Sequence, residues 1–593
     1  MSQVLQALNP AQATRVGQAF RLLQADKATE ALDLARAVVT EAPNAPDARH
    51  VLALCLAATG AESLADEAFR RTLALAPGHP MVTGNYAKFL HKRGLAALKR
   101  RESAGAVAAL ARAVELRPDA ASTWQALGSA RRAADDLEGA ETAFRRSVTL
   151  APGNGAGWVN LGVVLRLLGR PAEALPCLEA ARKAGLSGPE LVNAEAGVRV
   201  DLGEFEAALS GARRLVRDYP LYAAGQVMLV HLLWEHGAAL APDEHPFAAI
   251  RAAVTAHPEN QPLQLAYVGL LLETQQSEEA LERLRVLRGQ EDHPLLVALE
   301  ANAHEMQGRS NEAGILFAQA HRSLGSSDPS FLNAYTRHLL KAGKWDAAAA
   351  RATEATRINP DDQEAWGYLG TAWRLLDDPR ELWLCDYERL IDLVEVPPPH
   401  GFSSHAEFMP CLEATLDPLH KARREPIHQS LRGGSQTPGK LFGRPDPVIR
   451  ATQAALLQAI EGRLASAELS ADPEHPFLRR LARSVRFAGS WSVKLWSSGR
   501  HVNHIHTEGW MSSAFYVSLP PAVREKADPD DTAGYIQFGQ PPVELGLDLP
   551  PRRVIRPRVG YLALFPSYMW HGTVPFEDEA PRITVAFDMT PLD

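Results

Sequence analysis

Residues 124–128 read WQALG, and residues 158–162, 34 positions on, read WVNLG. The motif returns as WGYLG at 366–370. A small residue keeps the same period. Ala31, Ala65, Ala106, Ala140, Ala174 and Ala208 are spaced by 34, except for a step of 41 between Ala65 and Ala106. Four residues after this alanine comes a bulky apolar side chain: Phe69, Leu110, Phe144 or Leu178. Prolines follow at Pro43, Pro77, Pro118, Pro152 and Pro360. Each period therefore reads as two amphipathic helices. The alanine lets them approach, the bulky residue fills the space between them, and the proline stops the second helix. One such unit cannot bury its apolar face alone, so the units must stack, leaving a concave surface. The pattern weakens from about 215 to 345, where Ala280 and Ala313 are the equivalents. The 41-residue step predicts an insertion near residues 90–105, LHKRGLAALKRRESAG.

A 34-residue period carrying W-x2-L-G, then A-x3-F, then proline resembles the tetratricopeptide repeat. That resemblance implies a surface that holds a peptide, a partner protein or a second copy of the chain. A plain spacer is the alternative, and no residue names the ligand.

Composition narrows the classes. The chain has 593 residues, 46% hydrophobic and 22% charged, ordinary for globular protein. A net charge of −8 gives no basic footprint for nucleic acid. Cys55, Cys177, Cys385 and Cys411 lack CxxC spacing, which argues against a zinc ribbon or disulfide framework. The start, MSQVLQALNPAQATRVGQAF, lacks a cationic segment followed by an apolar run, and no apolar stretch reaches about eighteen residues. The expectation is a cytoplasmic protein with no membrane span.

The repeats fade after Leu390, and VEVPPPHGFSSHAEF marks a boundary. The expected organisation is an all-α repeat superhelix over 1–390, a linker over 391–430, and a β-rich double-stranded β-helix, or jelly roll, over 431–593. Within the last part, DPVIRATQAALLQAIEGRLASAE predicts a helix. Gly434 to Lys440 fits GxxxxGK, the start of a phosphate-binding loop. Leu441 stands where a Ser or Thr should hold magnesium, Pro438 removes a backbone donor, and HKARREPIHQSLR is no buried strand. A loop near a site mouth is the better reading.

From about 484 the pattern changes to period two. SVRFAGSWSVKLW, WMSSAFYVSLP, GYIQFG, RRVIRPRVGYLALFP and RITVAFDM are separated by Gly and Pro, as in an antiparallel sandwich or barrel. His501, His504, His506 and Glu508 cluster between the first two of these stretches. His504 and His506, two apart, would share one face of an extended strand, as would His506 and Glu508. His501 is out of phase. His571 follows YLALFP, and Arg582 lies eleven residues further on. Imidazole and carboxylate ligands with open positions suit non-haem Fe(II). The planar fork of Arg582 suits a carboxylate. One histidine among the twenty in the chain means little, but HxH, FPS-x3-HG and a following Arg together point to a metal.

At these residues the chain resembles the 2-oxoglutarate/Fe(II)-dependent dioxygenases, in the bacterial and phage branch with an H-x-H-P-x-x-W/F-x-S-G/S-x-Y-Y core. That core stands here as His504-Ile-His506-Thr507-Glu508-Gly509-Trp510-Met511-Ser512-Ser513-Ala514-Phe515-Tyr516. The branch's G-x-L-x-L-F-P-S-x-x-x-H is matched by Gly560 to His571, and its R-I-x-x-A-F-N/D by Arg582 to Asp588. The resemblance implies Fe(II), 2-oxoglutarate as cosubstrate and O2, with hydroxylation as the outcome. Arg582 would hold the far carboxylate, and Trp510, Phe515 and Leu564 would exclude water. Two ligand registers stay open: His504, His506 and His571, or His506, Glu508 and His571. Branch members often lack a carboxylate at the position of Glu508, which favours the first. Thr507 departs from the branch's proline.

Two other readings compete. A cupin shares the β-helix and the spacing of Gly560, Pro566 and His571. But Tyr568 replaces its glycine, Glu508 lies too close to His506, and Arg582 would be idle. A repeat scaffold with an inactive oxygenase domain is the reading from a different class, although no ligand is missing. Fusion of a binding array to an oxidising domain suggests a protein or peptide substrate held by the repeats.

Overall fold

A computed structural model describes residues 5–290, 293–421, 430–466, 469–526, 528 and 530–592. Of the expected linker, residues 422–429 lie outside the described residues, as do residues 1–4 of the N-terminal stretch. The chain falls into two compact units: Met1–Leu168 with Ala172–Ser187, and Gly169–Pro171 with Gly188–Asp593.

The first unit is built of paired helices, among them Pro46–Ala58 with Glu62–Leu75 and Ala121–Ala133 with Leu137–Leu150. The repeated residues do what their spacing implies. Ala31, Ala65, Ala106, Ala140 and Ala174 have no exposed surface. A Cβ added at Gly128 would meet the Phe144 ring at 2.7 Å, so the glycine of WQALG makes room for the bulky residue of its partner helix. The indoles of Trp124 and Trp158 each donate to the carbonyl of the closing proline six residues earlier, Pro118 and Pro152, both at 2.9 Å. The 41-residue step is a longer helix. Pro80–Lys99 has 20 residues where Ala121–Ala133 has 13, and the seven extra residues are two turns.

The second unit continues with helix pairs from Pro189–Leu202 and Phe205–Asp218 to Pro329–Lys341 and Trp345–Ile358. Ala208, Ala280 and Ala313 are fully buried, as the weakened pattern predicted. Its last repeat is Gln363–Leu375, followed by the short helix Arg380–Leu384. Trp366 donates to Pro360 in the same way as its counterparts.

The β-rich part follows. Its strands are β1 (Asp392–Glu395), β2 (Leu431–Gln436), β3 (Ser484–His501), β4 (Met511–Ser518), β5 (Ile536–Phe538), β6 (Arg553–Ile555), β7 (Tyr561–Pro566), β8 (His571–Thr573) and β9 (Arg582–Leu592). They form two antiparallel sheets, β1-β7-β4-β9-β3-β2 and β6-β5-β8. Helix Pro447–Leu464 is present with Asp446 as its N-cap. Inside the expected linker, Asp392–Glu395 pairs with Leu564 to Tyr561, so this stretch is an edge strand of the larger sheet. The glycine-rich stretch is strand β2, paired with β3, and not a phosphate loop.

Alternation along β9 sorts the two faces. Ile583, Val585, Phe587 and Met589 are buried in the core, while Arg582, Thr584, Ala586 and Asp588 line a cavity. The core runs on without a break from Leu369 and Trp373 of the last repeat and Leu384 of the short helix after it into Phe515, Leu562 and Val585.

Candidate metal centre

The cavity, about 410 Å³, has walls from both sheets. Strand β3 ends at His501, and residues 502–510 form a loop rather than the extended strand expected. Two contacts fix this loop. The His504 N–H donates to the His571 carbonyl at 2.9 Å and the His571 N–H returns the bond at 3.0 Å. The His506 N–H donates to the Ser567 carbonyl at 3.1 Å. Gly509 permits the approach, since a Cβ there would lie 2.5 Å from Ser567 Oγ.

The result brings His504, His506 and His571 together, with one ligand atom of each within 4.8 Å of the others. Every ring has its Nδ1 occupied. His504 Nδ1 meets the Val502 carbonyl at 2.8 Å, His571 Nδ1 the Met569 carbonyl at 3.0 Å, and His506 Nδ1 the Asp588 carboxylate at 2.8 Å. All three partners are acceptors, so each ring carries its hydrogen on Nδ1. Each therefore turns the lone pair of Nε2 inward, the tautomer a metal requires. His504 Nε2 and His506 Nε2 are 3.0 Å apart. Two lone pairs at that distance repel unless a cation lies between them. Imidazoles about 2.1 Å from one ion, at right angles, are about 3.0 Å apart. Burial, with the neighbouring imidazoles, holds His504 and His571 well below the usual histidine range, in the neutral ligand form. The donor set fits a divalent ion.

Further residues complete the walls. Asp588 also accepts from Ser512 Oγ at 2.6 Å, and Ser512 is bonded to Ser567 Oγ at 2.8 Å. The Trp491 ring lies nearly parallel to His506, 7° and 5.7 Å away, and Phe565 packs on His571 at 4.4 Å.

Arg582 lies in the same cavity, 3% exposed. Its Nη1 donates to Thr573 Oγ1 at 3.2 Å, and its guanidinium sits 5.3 Å from the centre of the Tyr516 ring. Its Nε has no acceptor, and among the described residues no carboxylate pairs with it. Burial lowers its pKa and raises that of Tyr516. A buried guanidinium without a counter-ion is costly and calls for an anion from outside.

Of the residues predicted, His504, His506, His571 and Arg582 are brought to one cavity. Glu508 is exposed, lines the same cavity and is not part of the converging group. His501, set aside on phase, stays outside the converging group but is not on the opposite face: it lines the cavity and its ring lies 5.5 Å from His504, because the loop after β3 breaks the alternation. Ser430 holds its Nδ1 at 2.8 Å, and burial beside Arg582 pushes its pKa down to about 3. Trp510, Phe515 and Leu564 are core residues and do not line the cavity; Ile505, Ile536 and Phe565 are its apolar wall. Trp510 instead stacks on Phe477 at 4.4 Å. Sequence reading missed Asp588 as the partner of His506. Its only signal was its place at the end of RITVAFD.

Comparison with known families matches residues 489–588 to "Putative 2OG-Fe(II) oxygenase". It matches residues 91–155, 126–189 and 337–379 to "Tetratricopeptide repeat". The chain thus joins stretches that match tetratricopeptide repeats to a stretch that matches a putative 2OG-Fe(II) oxygenase, and the three-histidine group of that stretch is compatible with the metal in the family's name. No curated protein matches the chain. Among solved structures, yeast Tom70 is 11% identical, with TM-score 0.38, over 64% of this chain and 99% of that one. Pseudomonas aeruginosa PilF is 21% identical, with TM-score 0.25, over 36% and 95%. YrrB, described as a TPR protein with an unusual peptide-binding site, is 20% identical, with TM-score 0.26, over 34% and 98%. Among the described residues no helix is long and apolar enough to cross a membrane.

Proposed function

We propose that the protein is a 2-oxoglutarate- and Fe(II)-dependent hydroxylase whose substrate is a protein or peptide presented by the repeats. The observation that carries this is one cavity holding three inward-facing Nε2 atoms and, in the same cavity, a buried guanidinium that pairs with no carboxylate among the described residues. His504, His506 and His571 would hold the metal, and Arg582 the far carboxylate of the keto acid. When bound, Fe(II) with 2-oxoglutarate and O2 supplies the two-electron oxidation of a C–H bond, with succinate and CO2 released.

The chain's own residues set the conditions. Asp588 keeps the His506 hydrogen on Nδ1 and balances charge as a cation arrives. Thr573 and the Tyr516 ring hold the Arg582 fork in place. Phe565, Ile536 and Ile505 restrict water in the cavity. Glu508 is left at the exposed side of the cavity, where it is free to meet substrate.

Ile505 links the cavity to the repeats. It lines the cavity, and its side chain also lies in van der Waals range of a Cβ placed on Gly367 of the last repeat helix.

The test is incubation of the full chain with Fe(II), 2-oxoglutarate, O2 and a lysate, reading succinate release and +16 peptides. Succinate release with a hydroxylated small metabolite, and with no partner captured by the repeats, overturns the peptide part. No 2-oxoglutarate-dependent turnover by metal-loaded protein overturns the whole.

A further inference from the structure

We infer that the last repeat is a working part of the metal centre, because it clamps the turn that positions all three histidines. The inference rests on the metal-site reading above. The turn is residues 567–571, Ser-Tyr-Met-Trp-His. Its odd positions serve the site. The Ser567 carbonyl holds the His506 backbone, the Met569 carbonyl fixes the His571 ring, and the His571 backbone is doubly paired with His504.

Its even positions reach the other way. The Tyr568 hydroxyl donates to the Leu384 carbonyl at 2.7 Å, on the short helix after the last repeat. The Trp570 indole donates to Thr371 Oγ1 at 2.8 Å and to the Gly367 carbonyl at 3.3 Å, both on helix Gln363–Leu375. Trp570 packs with Tyr368, Ala372 and Leu340 of the repeats. A Cβ at Gly367 would lie 3.0 Å from the Tyr568 carbonyl, so the helix rests directly on the turn.

All of these partners are buried. Among the described residues the turn contributes no other side-chain hydrogen bond across to the repeats and the short helix after them, so Tyr568 and Trp570 are its polar hold there. Tyr568, Trp570, Thr371 and Gly367 are positioning residues. They touch no ligand atom, but a shift of the turn moves three Nε2 atoms at once. Partners one shell out from metal ligands typically tune affinity 10- to 100-fold.

The experiment is Co(II) titration of the full chain, anaerobic and without cosubstrate, followed by absorption of the bound ion. Thr371→Val removes the nearer acceptor of Trp570 while keeping the shape, and Thr371→Ser keeps that acceptor. Thr371→Val combined with Tyr568→Phe removes the two shorter hydrogen bonds and leaves Trp570 only the longer one to the Gly367 carbonyl. The expected result is a Co(II) Kd raised about tenfold in Thr371→Val, with an altered Co(II) spectrum. The effect should be larger in the double variant, and both properties should be restored in Thr371→Ser. Phe317→Leu, in an earlier repeat, should lower the melting temperature and leave the Co(II) spectrum alone. A double variant that binds Co(II) with wild-type affinity and spectrum overturns the inference. Wild-type protein that binds no Co(II) overturns the metal-site reading, and the inference with it.

Discussion

Asp588 and His506 are 82 positions apart in the chain, and their side chains meet at 2.8 Å. The carboxylate decides which nitrogen of His506 carries hydrogen, and so whether the ring can act as a ligand. Asp588→Ala should weaken Fe(II) or Co(II) binding about 10- to 100-fold, the usual effect of removing such a partner. Anaerobic titration checks this, and an unchanged Kd would deny Asp588 the role.

The two ligand registers make opposite forecasts. With His504, His506 and His571 as the set, His504→Ala abolishes stoichiometric metal binding and Glu508→Gln leaves it intact. Turnover of Glu508→Gln can still change, because the residue lines the exposed side of the cavity. Metal analysis after desalting separates the registers: loss in Glu508→Gln with retention in His504→Ala selects the other.

Arg582→Gln should raise the 2-oxoglutarate KM about 10- to 100-fold. Hydrogen bonds to a charged group contribute about 1.5–3 kcal/mol. Metal stoichiometry should be unchanged. The ligand-free variant should melt no lower than wild type, since a buried charge without a counter-ion has been removed. A wild-type KM would free Arg582 from the carboxylate.

Much of this was legible. The 34-residue period placed helices, because a small residue is needed wherever two of them touch, and Gly128 against Phe144 is that constraint in atoms. Period two placed β3, β4, β7 and β9, because successive side chains of a strand point to opposite faces of the sheet. What escaped was of two kinds. Asp588 could not be paired with His506, because spacing within one strand says nothing of a neighbour reached through the sheet. His501 was misplaced because alternation holds only while the chain stays extended, and the chain leaves β3 there. The edge strand β1 hid for a related cause: four residues beside a run of prolines carry too little pattern to distinguish a strand from a connection.

Away from the cavity, His420 offers a pH test. It is bonded to Ser435 at 2.9 Å and Ser492 at 3.1 Å, and it faces Lys494 and Asp417. Burial first, then Lys494, pushes its pKa down to about 4. Below about pH 6.5 the unfolded chain takes up a proton that the folded chain refuses until pH 4, so stability falls as pH falls through that window. The slope is at most about 1.4 kcal/mol per pH unit. His420→Gln should flatten the melting temperature between pH 6.5 and 4. An unchanged slope would show that the native ring already carries its proton.

Strand β9 is written last of the strands and placed in the middle, between β4 and β3. It carries both Arg582 and Asp588. During synthesis the larger sheet therefore waits, with the edges of β4 and β3 unsatisfied, until Arg582–Leu592 has left the ribosome. The helix pairs, whose contacts are local, need no such delay. A nascent chain thus displays its repeats before the cavity of His504, His506, His571 and Arg582 is complete, and a ribosome that stalls short of residue 582 leaves the repeats without that cavity.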